Sequence, residues 1–203
     1  VKVNDGAYHF AIKTPREIIE NVVFNLPGQH NLSNALVAFA MGYDNGFDTQ
    51  KLVDGLASFK GVERRFTYQI KTDDLVFIDD YAHHPTEINA VYQAVNEMYP
   101  GEKVMAVFQP HLFSRTQDFA DDFAASLSQF DEVCLLDIYP AREMPIAGVT
   151  SEWLLSKMTN INKKVIAKND IVSEIKKSEA KIILTIGAGD IGAEVSKIKN
   201  EIQ

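Results

Sequence analysis

The sequence predicts an α/β fold built on an open, mostly parallel sheet with helices on both faces, preceded by a smaller α/β section. From about residue 66 onward, apolar strand-like segments alternate with amphipathic helical ones, the order typical of parallel sheets. The segment 182–184 is apolar without interruption, as expected for a strand buried on both faces. Hydrophobic residues make up 46% of the 203 residues, enough for a sizeable core.

The larger section begins with a predicted hairpin over 66–71 and 75–79. Pro85 suits the first position of the next helix, because the N–H that proline lacks would have no partner there. A Rossmann-like order then follows, with strands predicted over 104–108, 132–137, 164–167 and 181–186 and helices over 118–130, 151–157, 171–177 and 190–199.

The smaller section ends at about residue 62. Its few strands and helices are too small a set to form a good domain by themselves. Strands are predicted over 7–13 and 22–26, a helix from Asn31, and a second helix with Thr49 as its N-cap. We therefore expect domains at 1–62 and 63–203. The first is either a small subdomain or the tail of a larger domain, and the start at Val1 rather than Met favours the tail.

Composition excludes several classes of partner. The net charge is −8 and the only adjacent arginines are Arg64 and Arg65, so binding to nucleic acid is not expected. No apolar stretch approaches the roughly 18 residues of a membrane span, and no signal peptide is visible. The single cysteine, Cys134, lies in an apolar run and fits a reducing compartment. We expect a cytoplasmic protein.

Ligands of open parallel sheets bind at the carboxyl ends of the strands, which points to the loops after residues 79, 109, 138 and 187. The first holds two acidic residues and two histidines, Asp79, Asp80, His83 and His84. Neighbouring residues at a strand end face opposite ways, so the aspartates should not share a proton. One is expected to be structural, and the other is free to accept from a ligand hydroxyl.

His83, His84 and Glu87 have the residue types of a zinc site. Adjacent residues at a helix start point apart, however, and the spacing matches no zinc-binding motif. We therefore expect no metal site; the remaining roles are a helix cap, a surface histidine or a contact to substrate.

The last loop, 187–192, fits G-x-G-x-x-G. Tight packing between strand and helix explains these glycines more simply than phosphate binding by the helix N-terminus. Arg115 follows the second loop and could grip a carboxylate or phosphate, although a solvated surface arginine is the ordinary alternative. The chain contains neither G-x-x-x-x-G-K-S/T nor G-x-S-x-G.

Taken in order, six segments resemble the Mur ligase family: GQHNLSNA (28–35), ERRF (63–66), DDYAHHPTE (79–87), FQPHLFSRT (108–116), YPARE (139–143) and GAGDIG (187–192). The resemblance covers nearly the whole chain and is greatest to the members that add L-alanine. It implies the tail of a central ATPase domain over 1–62 and a carboxy-terminal amino-acid-binding domain over 63–203. The phosphate-binding loop and most ligands of Mg²⁺ would lie upstream.

The resemblance also implies an activity: ATP-dependent joining of L-alanine to UDP-N-acetylmuramate, for peptidoglycan synthesis, through an acyl phosphate. On the nucleotide side it implies that His30, Asn31 and Asn34 bind ATP, with Asn31 and Asn34 on the side of the adenine. Arg65 would contact phosphate and Asp80 would accept from the ribose, both counted among the catalytic residues.

On the amino-acid side the resemblance implies that Tyr81, His83, His111 and Arg115 surround the alanine, with His83 catalytic and Arg115 on the carboxylate. One position departs from the family pattern, because bacterial members carry a basic residue where this chain has Leu112. Either Arg115 acts alone or the pocket differs. The alternatives are a related ligase that recycles a tripeptide, a binding module without chemistry, and a metal hydrolase.

Overall fold

A computed structural model describes residues 1–4 and 6–203 and divides the chain into two compact units. The first unit comprises Val1–Val62 and Gln93–Gly101, and the second comprises Glu63–Tyr92 and Glu102–Gln203. The third helix of the chain therefore contributes its first half to one unit and its second half to the other.

The first unit is an antiparallel sheet with helices. Its strands β1 (Lys2–Asn4), β2 (Ala7–Lys13) and β3 (Ile18–Phe24) pair in that order, and α1 (Gln29–Asp44) and α2 (Thr49–Ser58) follow. Two small apolar clusters form its core, with Tyr8, Phe24 and Ala35 in one and Val22 and Phe39 in the other.

Two details of the first unit differ from the sequence prediction. β3 begins at Ile18 rather than residue 22, because Ile18 pairs with Lys13 and Ile19 with Ile12 across a tight turn. The N-cap of α2 is Asp48, not Thr49. The Asp48 carboxylate accepts from the Lys51 N–H at 2.9 Å, and Thr49 is the first helical residue.

The second unit is the predicted α/β sheet. Its six strands lie in the order β4-β5-β9-β6-β7-β8, and only the pairing of β4 with β5 is antiparallel. The strands are β4 (Thr67–Lys71), β5 (Val76–Asp80), β6 (Val104–Phe108), β7 (Glu132–Leu135), β8 (Asn162–Val165) and β9 (Ile182–Ile186). Every residue of β5, β6 and β9 is buried, which confirms strands covered on both faces.

The helices of this part of the chain are α3 (Pro85–Met98), α4 (Phe113–Asp118), α5 (Ala120–Leu127), α6 (Ser151–Lys157), α7 (Ile171–Lys177) and α8 (Ile191–Ile202). Pro85 is the first residue of α3, as predicted. The helix predicted over 118–130 is found as the shorter α5, and α4, which was not predicted, precedes it. Phe119 separates the two helices, because it leaves helical geometry and packs its ring edge-on against His84, with the centroids 4.7 Å apart.

The boundaries of the two outer parallel strands also shift. β8 covers 162–165 rather than 164–167, because its parallel register pairs Asn162 with Glu132 and Val165 with Leu135. β7 correspondingly ends at Leu135, two residues before the predicted end.

The chain leaves β9 through Gly187, whose backbone lies against the neighbouring strand end. Its φ is 145°, and a Cβ at this position would lie 2.8 Å from the Gln109 carbonyl oxygen. Gly187 also donates its N–H to the Asp80 carbonyl at 3.1 Å. A side chain would therefore face both an unfavourable φ and a backbone collision.

We expect Gly187→Ala to lower the free energy of unfolding by about 2 kcal/mol or more, because strain and backbone crowding add. Gly148→Ala is the matched control, since Gly148 also has a positive φ, 80°, but nothing lies within 4 Å of its Cβ position. That control should cost about 1 kcal/mol. Urea unfolding measures both, and equal losses would contradict close packing at Gly187.

Candidate functional site

Four chain segments meet at one edge of the larger sheet. β5 and β6 both pair in parallel with β9, and β6 also pairs in parallel with β7, so their carboxyl ends lie on the same side. The loops after these four strands are those singled out from the sequence. Their residues form the candidate site.

Aromatic and imidazole rings form a continuous row across these loops. The ring centroids of Tyr81 and His83 lie 5.4 Å apart, those of His83 and His111 6.1 Å, and those of His111 and Tyr139 5.6 Å. Three of the predicted amino-acid-binding residues therefore lie side by side. Tyr139 is an additional member, and its place after β7 was the signal that could have identified it.

Arg115 adds a permanent positive charge to this row. Its Nη1 lies 3.5 Å from His111 Nδ1. A guanidinium can only donate, so Nδ1 is the acceptor and the neutral imidazole carries its proton on Nε2. Burial lowers the pKa of His111, and the neighbouring Arg115 and His83 lower it further. His111 is thus neutral at pH 7 and leaves the positive charge to Arg115.

The start of α4 fixes the backbone that carries Arg115. The Glu143 carboxylate accepts from the Ser114 Oγ at 2.5 Å and from the Ser114 N–H at 3.0 Å. These bonds, the side-chain bond foremost, lower the pKa of Glu143. Leu112 precedes the helix at a φ of 74° and donates its N–H to the Tyr139 carbonyl at 2.9 Å. The second and third loops are therefore tied together at Arg115.

His83 and His84 have different local roles. The His83 Nδ1 lies 3.0 Å from the Tyr81 carbonyl and 3.3 Å from Glu87 Oε2, so it carries the proton and leaves Nε2 as the basic nitrogen. The His84 Nδ1 accepts from the Thr86 N–H at 3.3 Å and caps α3. Within residues 1–4 and 6–203, no group of three or more His, Cys, Asp or Glu side chains could hold a metal ion.

The two aspartates at the end of β5 bond different groups. Asp79, 1% exposed, accepts from Arg64 Nε at 2.9 Å and from Thr185 Oγ1 at 2.8 Å. Asp80, 6% exposed, accepts from the Phe66 and Ala82 N–H groups, each at 2.7 Å. Both carboxylates therefore have structural bonds, whereas the sequence had assigned only one of them such a role.

Burial has the largest effect on the pKa of Asp80. It raises the pKa of this carboxyl to about 6, although the two backbone N–H groups and nearby Arg65 act to lower it. Each of its oxygens keeps a second lone pair. The resemblance implies that Asp80 accepts a hydrogen bond from a ribose hydroxyl, and this role stays a prediction.

The adjacent arginines point to different surroundings. Arg65 is exposed, so its guanidinium is available to an anion. Arg64, for which the sequence suggested no role, pairs with Asp79 and donates from Nη2 to the Gly187 carbonyl at 2.7 Å. The sequence alone could not distinguish these two arginines, because they are neighbouring residues of the same type in one loop.

The glycine-rich loop after β9 is filled by a side chain from the second loop. Gln109 Oε1 accepts from the Ile191 N–H at the start of α8, at 2.9 Å, and Nε2 donates to Asp190 Oδ1 at 2.7 Å. A Cβ on Gly189 would lie 2.3 Å from Gln109 Oε1. The glycines therefore serve close packing, and a first-turn N–H that could have bound phosphate is already bonded.

The predicted nucleotide-side residues of the first unit lie at the start of α1. Asn31 Nδ2 donates to the Pro27 carbonyl at 2.7 Å, which leaves its side-chain oxygen available, and His30 and Asn34 are exposed. The backbone before them is held by Tyr8, whose hydroxyl accepts from the Gly28 N–H at 2.9 Å.

A parallel sheet with polar and aromatic loops gathered at its carboxyl edge defines a ligand-binding domain of the α/β class. The family model described as Mur ligase, glutamate ligase domain, matches residues 64–191, which is more than half of the chain. The chain belongs to the Mur ligase family, as its ordered segments predicted.

Individual relatives agree with this assignment. The chain is 64% identical over 199 residues to a UDP-N-acetylmuramate–L-alanine ligase of Flavobacterium johnsoniae, covering 98% of this chain and 44% of that protein. It is 61% identical over 202 residues to the protein of that name in Flavobacterium psychrophilum, covering 100% of this chain and 45% of that protein. The chain thus spans under half the length of these relatives.

A solved structure shows the same fold. The crystal structure of a UDP-N-acetylmuramate-alanine ligase from Thermotoga maritima matches with a TM-score of 0.71 at 27% identity, covering 88% of this chain and 39% of that one. As a separate finding, no helix in the described part of this chain has the length and apolar character needed to cross a membrane.

The raised pKa of Asp80 can be measured directly. We expect its carboxyl carbon to titrate with a midpoint of about 6 in a ¹³C NMR pH series. Because the pKa in the folded state exceeds that of the unfolded state, the contribution of Asp80 to stability is full below pH about 4 and is lost as the pH rises through 6. Asp80→Asn should remove this signal and reduce the fall in stability over that range. A midpoint below 4 would contradict the dominance of burial.

Proposed function

We propose that this chain is the carboxy-terminal part of a cytoplasmic, ATP-dependent ligase that joins L-alanine to UDP-N-acetylmuramate in peptidoglycan precursor synthesis. The observation that carries the proposal is the placement of Arg115 beside the row of Tyr81, His83 and His111. The names of the relatives at 64% and 61% identity support it. Residues 1–62 would be the tail of the ATPase domain and 63–203 the amino-acid-binding domain.

The proposed reaction has two steps. The γ-phosphoryl group of ATP transfers to the carboxylate of UDP-N-acetylmuramate, which forms an acyl phosphate and ADP. The neutral amine of L-alanine then attacks the acyl carbon, the tetrahedral intermediate expels phosphate, and an amide remains. Both steps depend on holding charged reactants in place, which is the work expected of the residues of this chain.

Arg115 would bind the carboxylate of alanine through paired hydrogen bonds. Among the proposed alanine-binding side chains it supplies the permanent positive charge, since His111 is neutral. Leu112 adds no second cation, which suits a substrate with one carboxylate. His83, with its Nδ1 proton directed at Tyr81 and Glu87, would use Nε2 to accept a proton from the alanine ammonium group.

On the nucleotide side, Asn31 and Asn34 would lie near the adenine, where an amide offers both a donor and an acceptor. His30 would also bind the nucleotide. The exposed guanidinium of Arg65 would contact phosphate. Asp80 would use the remaining lone pairs of its carboxylate for the ribose hydroxyls.

The chain would supply only part of the ATP site. Its sequence contains no G-x-x-x-x-G-K-S/T loop, and its described residues include no cluster suited to a metal. We therefore propose that the phosphate-binding loop and most of the Mg²⁺ ligands belong to other parts of the whole protein, and that this chain alone is inactive. The tripeptide-recycling alternative is less supported, because the names of the relatives above specify L-alanine.

The arrangement of the whole protein is testable from its gene. We expect the reading frame upstream of Val1 to encode a G-x-x-G-K-S/T segment after a predicted strand, preceded by a domain for the UDP-sugar. A frame that starts within a few codons of Val1 would contradict the proposal.

Arg115→Ala in the full-length protein should raise the KM for L-alanine by about 10- to 100-fold, because charge-assisted hydrogen bonds to the carboxylate are lost. The KM for ATP should stay nearly the same. Alanine-dependent release of phosphate measures both values.

Arg142→Ala is the matched control for that experiment, since Arg142 is an exposed arginine on the third loop and should leave both KM values unchanged. An unchanged alanine KM in Arg115→Ala would mean that Arg115 does not bind the amino acid.

A further inference from the structure

Arg64 has no part in the proposed binding or chemistry, yet its guanidinium is built into the edge of the sheet. Nε donates to Asp79 Oδ2 at 2.9 Å and Nη2 donates to the Gly187 carbonyl at 2.7 Å. The Asp79 side chain is 1% exposed and also bonds Thr185, at 2.8 Å. One charge-assisted bond to a buried carboxylate and a second bond to a backbone carbonyl fix the guanidinium in one orientation.

The fixed guanidinium lies over Tyr81. Arg64 Cζ is 5.2 Å from the centroid of the Tyr81 ring, which is within the range of a cation–π interaction. The Tyr81 N–H also donates to the Arg64 carbonyl at 2.7 Å. The same residue therefore holds both the backbone and the ring of Tyr81.

The glycine-rich loop leaves the space that this arrangement needs. A Cβ on Gly192 would lie 2.5 Å from Arg64 Cζ, so any larger residue would displace the guanidinium. The third glycine of G-x-G-x-x-G thus has a packing role opposite an arginine. Arg64 itself has a φ of 58°, an uncommon conformation for a residue with a side chain.

Tyr81 transmits this constraint to the rest of the row. Its ring contacts His83, with the centroids 5.4 Å apart, and His83 contacts His111, 6.1 Å away. Tyr81 is 39% exposed, so few neighbours restrict its ring on the open side. The fixed cation 5.2 Å from its centroid therefore has more influence on the ring.

We propose that Arg64 is a positioning residue that acts through Tyr81: anchored by Asp79 and the Gly187 carbonyl, its guanidinium sets the Tyr81 ring and, through it, the imidazoles of the amino-acid site. Only the planar guanidinium can donate from two positions while its face lies over a ring. Lysine offers a single point charge. The effect on alanine rests on the function proposed above, whereas the effect on the Tyr81 ring does not.

A double-mutant cycle in the full-length protein tests the route of action. Arg64→Lys should raise the KM for L-alanine about tenfold or more through misplacement of the site, with little change in the KM for ATP. The same substitution added to Tyr81→Leu should cause no further rise, because the residue through which Arg64 acts is already gone. Effects that multiply, or a change in the KM for ATP instead, would overturn the proposal.

A second measurement does not depend on activity. In full-length protein with ¹³C-labelled tyrosine, Tyr81→Leu identifies the ring signal of Tyr81, and Arg64→Lys should shift that signal. The matched control is Arg16→Lys, whose guanidinium carbon lies 5.9 Å from the Tyr43 ring centroid, and it should leave the Tyr81 signal unchanged. A Tyr81 signal unmoved by Arg64→Lys would overturn the proposal.

The two measurements separate the possible failures. If the unsubstituted protein shows no alanine-dependent phosphate release, the proposed function fails while the ring signal still tests the role of Arg64. If Arg64→Lys does not fold, Arg64→Met with Asp79→Asn removes both charges together and avoids an unpaired buried carboxylate. That pair should also shift the Tyr81 signal, and no shift would again overturn the proposal.

Discussion

Parallel pairing is the constraint on which the candidate site depends. β9 lies between β5 and β6 in one parallel register, with Asp80 and Phe108 both opposite Ile186. Segments far apart in sequence therefore end at the same level, and the residues that follow must share one space. Backbone hydrogen bonds then join the loops, such as the one from the Gly187 N–H to the Asp80 carbonyl at 3.1 Å.

Within that space, burial and charge give neighbouring groups of the same type different properties. Asp79 faces a guanidinium, whereas Asp80 faces two backbone N–H groups and is desolvated enough for its pKa to rise to about 6. His111 is kept neutral by burial and by Arg115. The neutral His111 leaves the positive charge of its pair to Arg115, which agrees with the carboxylate contact proposed for Arg115.

The first unit has its own polar anchor. The Tyr8 hydroxyl accepts from the Gly28 N–H and donates to Glu97 Oε2 at 2.7 Å, and burial raises the pKa of Tyr8. Gln29 donates to the other oxygen of Glu97 at 2.9 Å. The turn before α1 is thus held from two sides, which gives a fixed start to the helix that carries Asn31 and Asn34.

The sequence by itself determined the alternation of strands and helices, the start of α3 at Pro85 and the four loops of the site, because apolar periodicity and proline geometry act locally. Tertiary structure decided which adjacent arginine turns inward and where Phe119 separates α4 from α5. These outcomes depend on partners distant in the chain, as with Arg64 and Gly187, 123 residues apart. No local pattern encodes such a contact, since it exists only once the parallel strands have brought both ends together.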